Sequence, residues 1–129
     1  MTRKLAALIL CLGMVPILGC PATSTTNPTT LAPGYQNATD QQMGEILSGA
    51  HAFYVSIQQQ SAAGTLNLSA TAKTVFNDFG VSLNAADSVY LAYHANPTAA
   101  NQATAQAAVN VVQTKQAAAQ TVATSAVKQ

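Results

Sequence analysis

The chain has few charged residues: Asp, Glu, Lys and Arg make up only 7% of its 129 residues, and its formal net charge is +1 at pH 7. No segment of the sequence forms a basic patch. Nucleic-acid binding draws much of its affinity from Lys and Arg contacts to phosphates. Nucleic acid is therefore not an expected partner.

Cysteine is also scarce, and both cysteines, Cys11 and Cys20, lie in the first twenty residues. The rest of the chain has no thiol for a disulfide, a redox pair or a thiolate metal site. We therefore expect the folded part to be stabilised by packing alone.

The two histidines, His51 and His94, are too few for a zinc site without further ligands, and the carboxylates are scattered. We predict no metal and no cofactor. His94 lies near a predicted helix C-terminus, where a cationic imidazole interacts favourably with the helix dipole. His51 lies beside an apolar stripe and is interpreted as a packing residue.

Ser48 and His51 are on neighbouring turns of the first predicted helix, and Asp40 or Glu45 would be the acid that orients the histidine if Ser48 were a nucleophile. Such a nucleophile also needs an oxyanion hole, and a regular helix surface has no free backbone donors for one. Asp78 and Asp87 are expected to be solvated surface carboxylates. We predict that the protein is not an enzyme.

The one long apolar run is Leu5–Leu18, which follows Arg3 and Lys4. A basic segment followed by a short apolar run is typical of an export signal. The run is shorter than the roughly 20 residues that a membrane-spanning helix needs, and Pro16 interrupts it. A plain secretory signal would end in an Ala-x-Ala-like site, which this run lacks.

The run closes on Ile17-Leu18-Gly19-Cys20, which resembles the lipobox of bacterial lipoproteins. The resemblance covers only the signal, residues 1–19, and the cysteine that follows. It implies cleavage between Gly19 and Cys20, a diacylglycerol on the Cys20 sulfur and an acyl group on the new amine. Two or more acyl chains give stable membrane anchoring.

This resemblance also implies a location. The mature protein would be exported and anchored by lipid, and its partner would be an envelope protein or a cell-wall component. Pro21 stands where an Asp would suggest inner-membrane retention. The outer membrane, on its periplasmic or surface face, is therefore favoured over the inner membrane.

Residues 20–38 are rich in Thr and Pro and carry no formal charge. Proline interrupts helices, and Thr, Ser and Asn compete with backbone hydrogen bonds. We expect a disordered tether that spans about 25 Å as a flexible coil and roughly 50 Å if it is extended.

Residues 39–129 change to a helical period and predict a small all-α fold, an antiparallel three-helix bundle. The first helix is expected at about 40–62, after a capping box formed by Thr39 and Gln42. Its core-facing stripe contains Met43, Leu47, Ala50, Tyr54 and Ile57, and Ile46 and Phe53 widen it.

The second helix is expected at about 70–95 with Ser69 as its N-cap, and two shorter helices broken near Gly80 are the alternative. The third is expected at about 97–125, with Asn96 as N-cap and Pro97 as its first residue. Its apolar face consists mostly of small residues, namely Ala105, Ala108, Val109, Val112, Ala119 and Val122.

Six aromatic residues fall on the facing sides of the first two helices and are interpreted first as core, with an apolar ligand groove as the functional alternative: Phe53, Tyr54, Phe76, Phe79, Tyr90 and Tyr93. The favoured function is a structural or protein-interaction lipoprotein of the cell envelope. A carrier of a small apolar ligand and a phage-encoded or toxin-like envelope lipoprotein are the alternatives.

Overall fold

A computed structural model describes residues 31–127. They form three helices: α1 at Ala38–Ala62, α2 at Ala70–Ala95 and α3 at Ala99–Val127. No strand occurs in this part of the chain. The predicted all-α three-helix bundle is thus confirmed.

Helix α1 begins slightly earlier than expected because its N-cap is Asn37. The Asn37 side chain accepts a hydrogen bond from the Asp40 amide at 2.9 Å. A side-chain oxygen at this position satisfies one of the amides that have no partner within the helix. The predicted capping box of Thr39 and Gln42 was therefore wrong.

Helix α2 is continuous, in agreement with the one-helix interpretation. Ser69 caps it by accepting from the Ala72 amide at 3.2 Å. Gly80 does not break it, and a β-carbon at that position would lie 2.6 Å from the Tyr54 hydroxyl oxygen. The glycine thus allows α1 and α2 to approach closely.

The start of α3 differs from the prediction. The Thr98 hydroxyl accepts from the Asn101 amide at 3.2 Å, and the helix begins at Ala99. Asn96 is instead the C-cap of α2, where its amide donates to Ala92 and Tyr93. Because Asn96 already serves α2, the predicted Asn96 cap of the third helix was wrong.

The core consists of apolar residues from all three helices and from the loop between α1 and α2. Most of the predicted stripe residues are buried, and Leu66, Leu68 and Ala123 were not predicted. The buried apolar residues are Met43, Leu47, Ala50, Ile57, Leu66, Leu68, Ala72, Phe76, Phe79, Leu83, Ala86, Tyr93, Ala105, Val109, Val112, Ala119 and Ala123.

Contacts between helices give the topology. Asp40 at the start of α1 meets His94 at the end of α2, and Phe53 in the second half of α1 meets Phe76 in the first half of α2. Asp78 in α2 and Lys115 in α3 approach within 3.9 Å, and the two residues lie at similar distances along the chain from the short connection at residues 96–98. Successive helices therefore run antiparallel, and α2 and α3 share the most extensive contact.

None of the helices between residues 31 and 127 is both long and apolar enough to span a membrane.

Candidate functional site

The most elaborate polar arrangement surrounds Asp40, which is fully buried in the first turn of α1. Its carboxylate oxygens lie 2.8 and 3.0 Å from Nδ1 of His94 at the end of α2. One oxygen also accepts from the Gln36 amide at 2.8 Å. Since a carboxylate only accepts hydrogen bonds, Nδ1 of His94 carries the proton in this contact.

Further hydrogen bonds join the same two helix ends. The Tyr93 hydroxyl donates to the Asn37 side chain at 3.1 Å, and the Tyr90 hydroxyl donates to the Asp40 carbonyl at 3.4 Å. The Gln36 side-chain amide donates to the His94 carbonyl. Gln36 and Asn37, just before α1, are therefore hydrogen-bonded to the end of α2.

The chain is held even earlier, because the Ala32 amide donates to the Gln41 side chain at 3.1 Å. The half-buried ring of Tyr35 packs over Gly44, where a β-carbon would lie 2.6 Å from its Cε1 atom. Residues 32–37 therefore belong to the folded bundle, although the sequence placed them in the tether.

Two pKa values in this network are shifted. Burial acts to raise the pKa of Asp40, but the Gln36 amide, the His94 ring and Tyr90 stabilise the carboxylate, so the pKa lies below its ordinary value of 3.8. Burial, and then the adjacent Asp40, raise the pKa of the Tyr90 phenol. Asp40 is therefore ionised and Tyr90 is neutral at neutral pH.

A second histidine and aspartate pair joins α1 to α2 nearer their middles. Nε2 of His51 lies 2.7 Å from Asp87, and both side chains are partly exposed. His51 is thus paired across the interface rather than acting only in packing. Its acid partner is neither Asp40 nor Glu45, the two that the sequence suggested as an orienting acid.

The six aromatic residues are not brought together in one site. Phe53 lies 6.3 Å from Phe76 and 5.9 Å from Phe79, and Tyr54 lies 5.8 Å from Phe79, measured between ring centroids. Tyr90 and Tyr93 belong instead to the Asp40 network. The first four therefore form a packed cluster, and the other two serve as hydrogen-bond donors.

A cleft of about 400 Å³ lies between the C-terminal half of α1, the α1–α2 loop and the first turns of α2. Two of the six predicted aromatic residues, Tyr54 and Phe76, line it, together with Lys73. A second cleft, of about 230 Å³, lies between the start of α2 and the end of α3 and is bordered by Ser69 and Ser125. Both clefts are at the opposite end of α1 from Asp40.

Among residues 31–127 no three His, Cys, Asp or Glu side chains are grouped so that they could hold a metal ion. Every buried side-chain nitrogen or oxygen in that range has a hydrogen-bond partner. The predicted cleavage site at Gly19 and Cys20, the signal peptide and the first part of the tether lie outside the described residues.

Neither of the two cross-helix His–Asp pairs was predicted from the sequence. The sequence does contain a signal that places Asp40 in the first turn of α1, since Asn37 and Asp40 have the spacing of an N-cap and the third helical residue. Comparisons of the chain with protein-family models, with curated proteins and with solved structures give no match.

Proposed function

We propose that the protein is a cell-envelope lipoprotein, anchored through lipid on Cys20, whose three-helix bundle has a structural or protein-interaction role rather than a catalytic one. The observation that carries this proposal is the stretch Ile17-Leu18-Gly19-Cys20 after a basic segment and a short apolar run. Cys20 is the first residue after the proposed cut and supplies the thiol that acylation requires.

The contacts around Asp40 determine how far the bundle would be from such an anchor. The Ala32 and Gln36 amides are hydrogen-bonded to side chains of α1, so the chain is held against the bundle from residue 32 onward. Only residues 21–30 separate Cys20 from the described chain. A chain of that length spans at most about 40 Å when fully extended. The bundle would therefore stay closer to the lipid than a tether running to residue 38 would allow.

The same contacts establish where the tether joins the bundle. The tether joins at the start of α1, and the α1–α2 loop is at the other end of this 25-residue helix. At 1.5 Å per residue, that end is about 37 Å away. The loop and the two clefts beside it would be the part of the bundle farthest from the point where the tether joins.

The described side chains support an interaction role more than catalysis. His51 pairs with Asp87, and no hydrogen bond joins His51 to Ser48 in the described residues. The mature chain would contain three lysines and four carboxylates. With so few charges, like-charge repulsion would oppose association with another envelope component only weakly.

Membrane fractionation of cells that express the full chain tests the proposal, with Cys20→Ala as the decisive variant. Cys11→Ala is the matched control, because Cys11 lies within the apolar run and is not at the proposed cut. We expect wild type and Cys11→Ala in the membrane fraction, released by detergent but not by salt. Cys20→Ala should lose the acylated, processed form, and an unchanged processed form in that variant would contradict the proposal.

A further inference from the structure

The cleft lined by Lys73 combines an apolar floor with one positive charge. Its floor is formed by Ile57, Leu68 and Phe76, which come from α1, the loop and α2 respectively and each expose less than a tenth of their surface. Its volume of about 400 Å³ falls within the roughly 300–1,000 Å³ range of small-molecule sites. The cleft is therefore large enough for a small organic ligand.

The lining of this cleft carries a single positive charge. Lys73 is the only charged residue of its lining. Among the described residues no carboxylate lies within 4.0 Å of the Lys73 ammonium, whereas Lys115 on α3 is 3.9 Å from Asp78. An ammonium beside an apolar surface and without a protein partner favours an anionic group on whatever binds there.

One of the lining side chains, Tyr54, is held in place by packing. The Tyr54 ring lies edge-on to Phe79 at 5.8 Å with an interplanar angle of 73°, and its hydroxyl occupies the space left by Gly80. The amides of Gln58 and Asn77 also line the cleft and supply hydrogen-bond donors. The apolar part of the cleft is therefore preformed, which lowers the entropic cost of binding an apolar group, whereas Gln58, Lys73 and Asn77 are exposed.

We propose that this cleft binds a small monoanion with an apolar body, such as an aromatic carboxylate. The apolar body contacts Ile57, Leu68 and Phe76, and the carboxylate faces Lys73. The site is distinct from the six-residue aromatic groove considered from the sequence, because Tyr90 and Tyr93 lie at the other end of the bundle. Binding here does not depend on lipidation of Cys20.

The test titrates 2-naphthoate into the isotope-labelled full chain, held in lipid nanodiscs, while amide spectra are recorded. We expect saturable shifts concentrated at residues that line the cleft, including Leu68 and Asn77. Lys73→Gln should weaken binding about three- to fivefold, as expected for loss of a solvent-exposed ion pair. Lys115→Gln, which removes a lysine outside the cleft, should bind as wild type does.

The uncharged analogue 2-naphthamide separates the charge from the apolar contact. It should bind wild type and Lys73→Gln equally, because it has no anionic group for Lys73. The same spectra report whether each variant keeps its fold. Shifts that fail to saturate or lie elsewhere, or equal naphthoate affinity in wild type and Lys73→Gln, would overturn the proposal, whatever the state of Cys20.

Discussion

At the scale of single residues, Asp40 is the centre of the polar network at one end of the bundle. It is fully buried in a chain with few charges, and it connects three parts of the fold: the segment before α1, the first turn of α1 and the end of α2. A buried carboxylate is costly unless hydrogen bonds satisfy it. Here the Gln36 amide and the His94 ring satisfy it. Removing the charge should therefore weaken the packing of the start of α1 against the end of α2.

Asp40→Asn should lower the free energy of unfolding by about 1–3 kcal/mol, because the new amide places a donor where His94 Nδ1 also donates. Urea denaturation followed by circular dichroism measures this change. Asp78→Asn is the control, since Asp78 is exposed and approaches Lys115 no closer than 3.9 Å. This substitution should change the free energy of unfolding by less than about 0.5 kcal/mol. Equal effects of the two substitutions would refute the structural role of Asp40.

Asp40 should also make the free energy of unfolding depend on pH under acidic conditions. Its folded-state pKa is below 3.8, the ordinary value expected in the unfolded chain, so the unfolded state binds the proton more readily. The contribution of Asp40 is complete above the unfolded-state pKa and disappears as pH falls through the folded-state pKa. The stability difference between wild type and Asp40→Asn should therefore shrink when denaturation is repeated below pH 3.8, and a constant difference would argue against the shift.

At the scale of elements, the sequence predicted the three helices within a few residues and most of the buried stripe, including Leu47, Phe79 and Val112. This succeeded because helical periodicity is local. The two His–Asp pairs join residues 54 and 36 positions apart. A periodic pattern does not specify which polar residues at the edges of two helices will meet, so neither pair could be predicted.

Gly80 tests the close approach of α1 and α2. Gly80→Ala should destabilise the bundle by about 1–3 kcal/mol, because its β-carbon would overlap the Tyr54 ring. Gly49→Ala is the matched control, since a β-carbon there meets no atom within 4 Å. It should stabilise α1 by about 0.5–1 kcal/mol through helix propensity. Thermal unfolding of both variants measures the contrast, and a stabilising Gly80→Ala would mean that Tyr54 does not occupy this space.

At the scale of the whole molecule, the two ends of the bundle differ. One end receives the chain from the proposed anchor and is fixed by the Asp40 network. The other end contains the α1–α2 loop and the Lys73 cleft. This polarity suits a domain displayed from a membrane, since the attachment is at one end and the candidate binding surface is at the other.

The intact mass of the protein purified from membranes tests the central claim most directly. We predict a chain that begins at Cys20 and carries the added mass of a diacylglycerol and an N-linked acyl group. Fragmentation should place the added mass on that first residue. A chain that retains residues 1–19, or one that begins elsewhere without added lipid, would contradict the account.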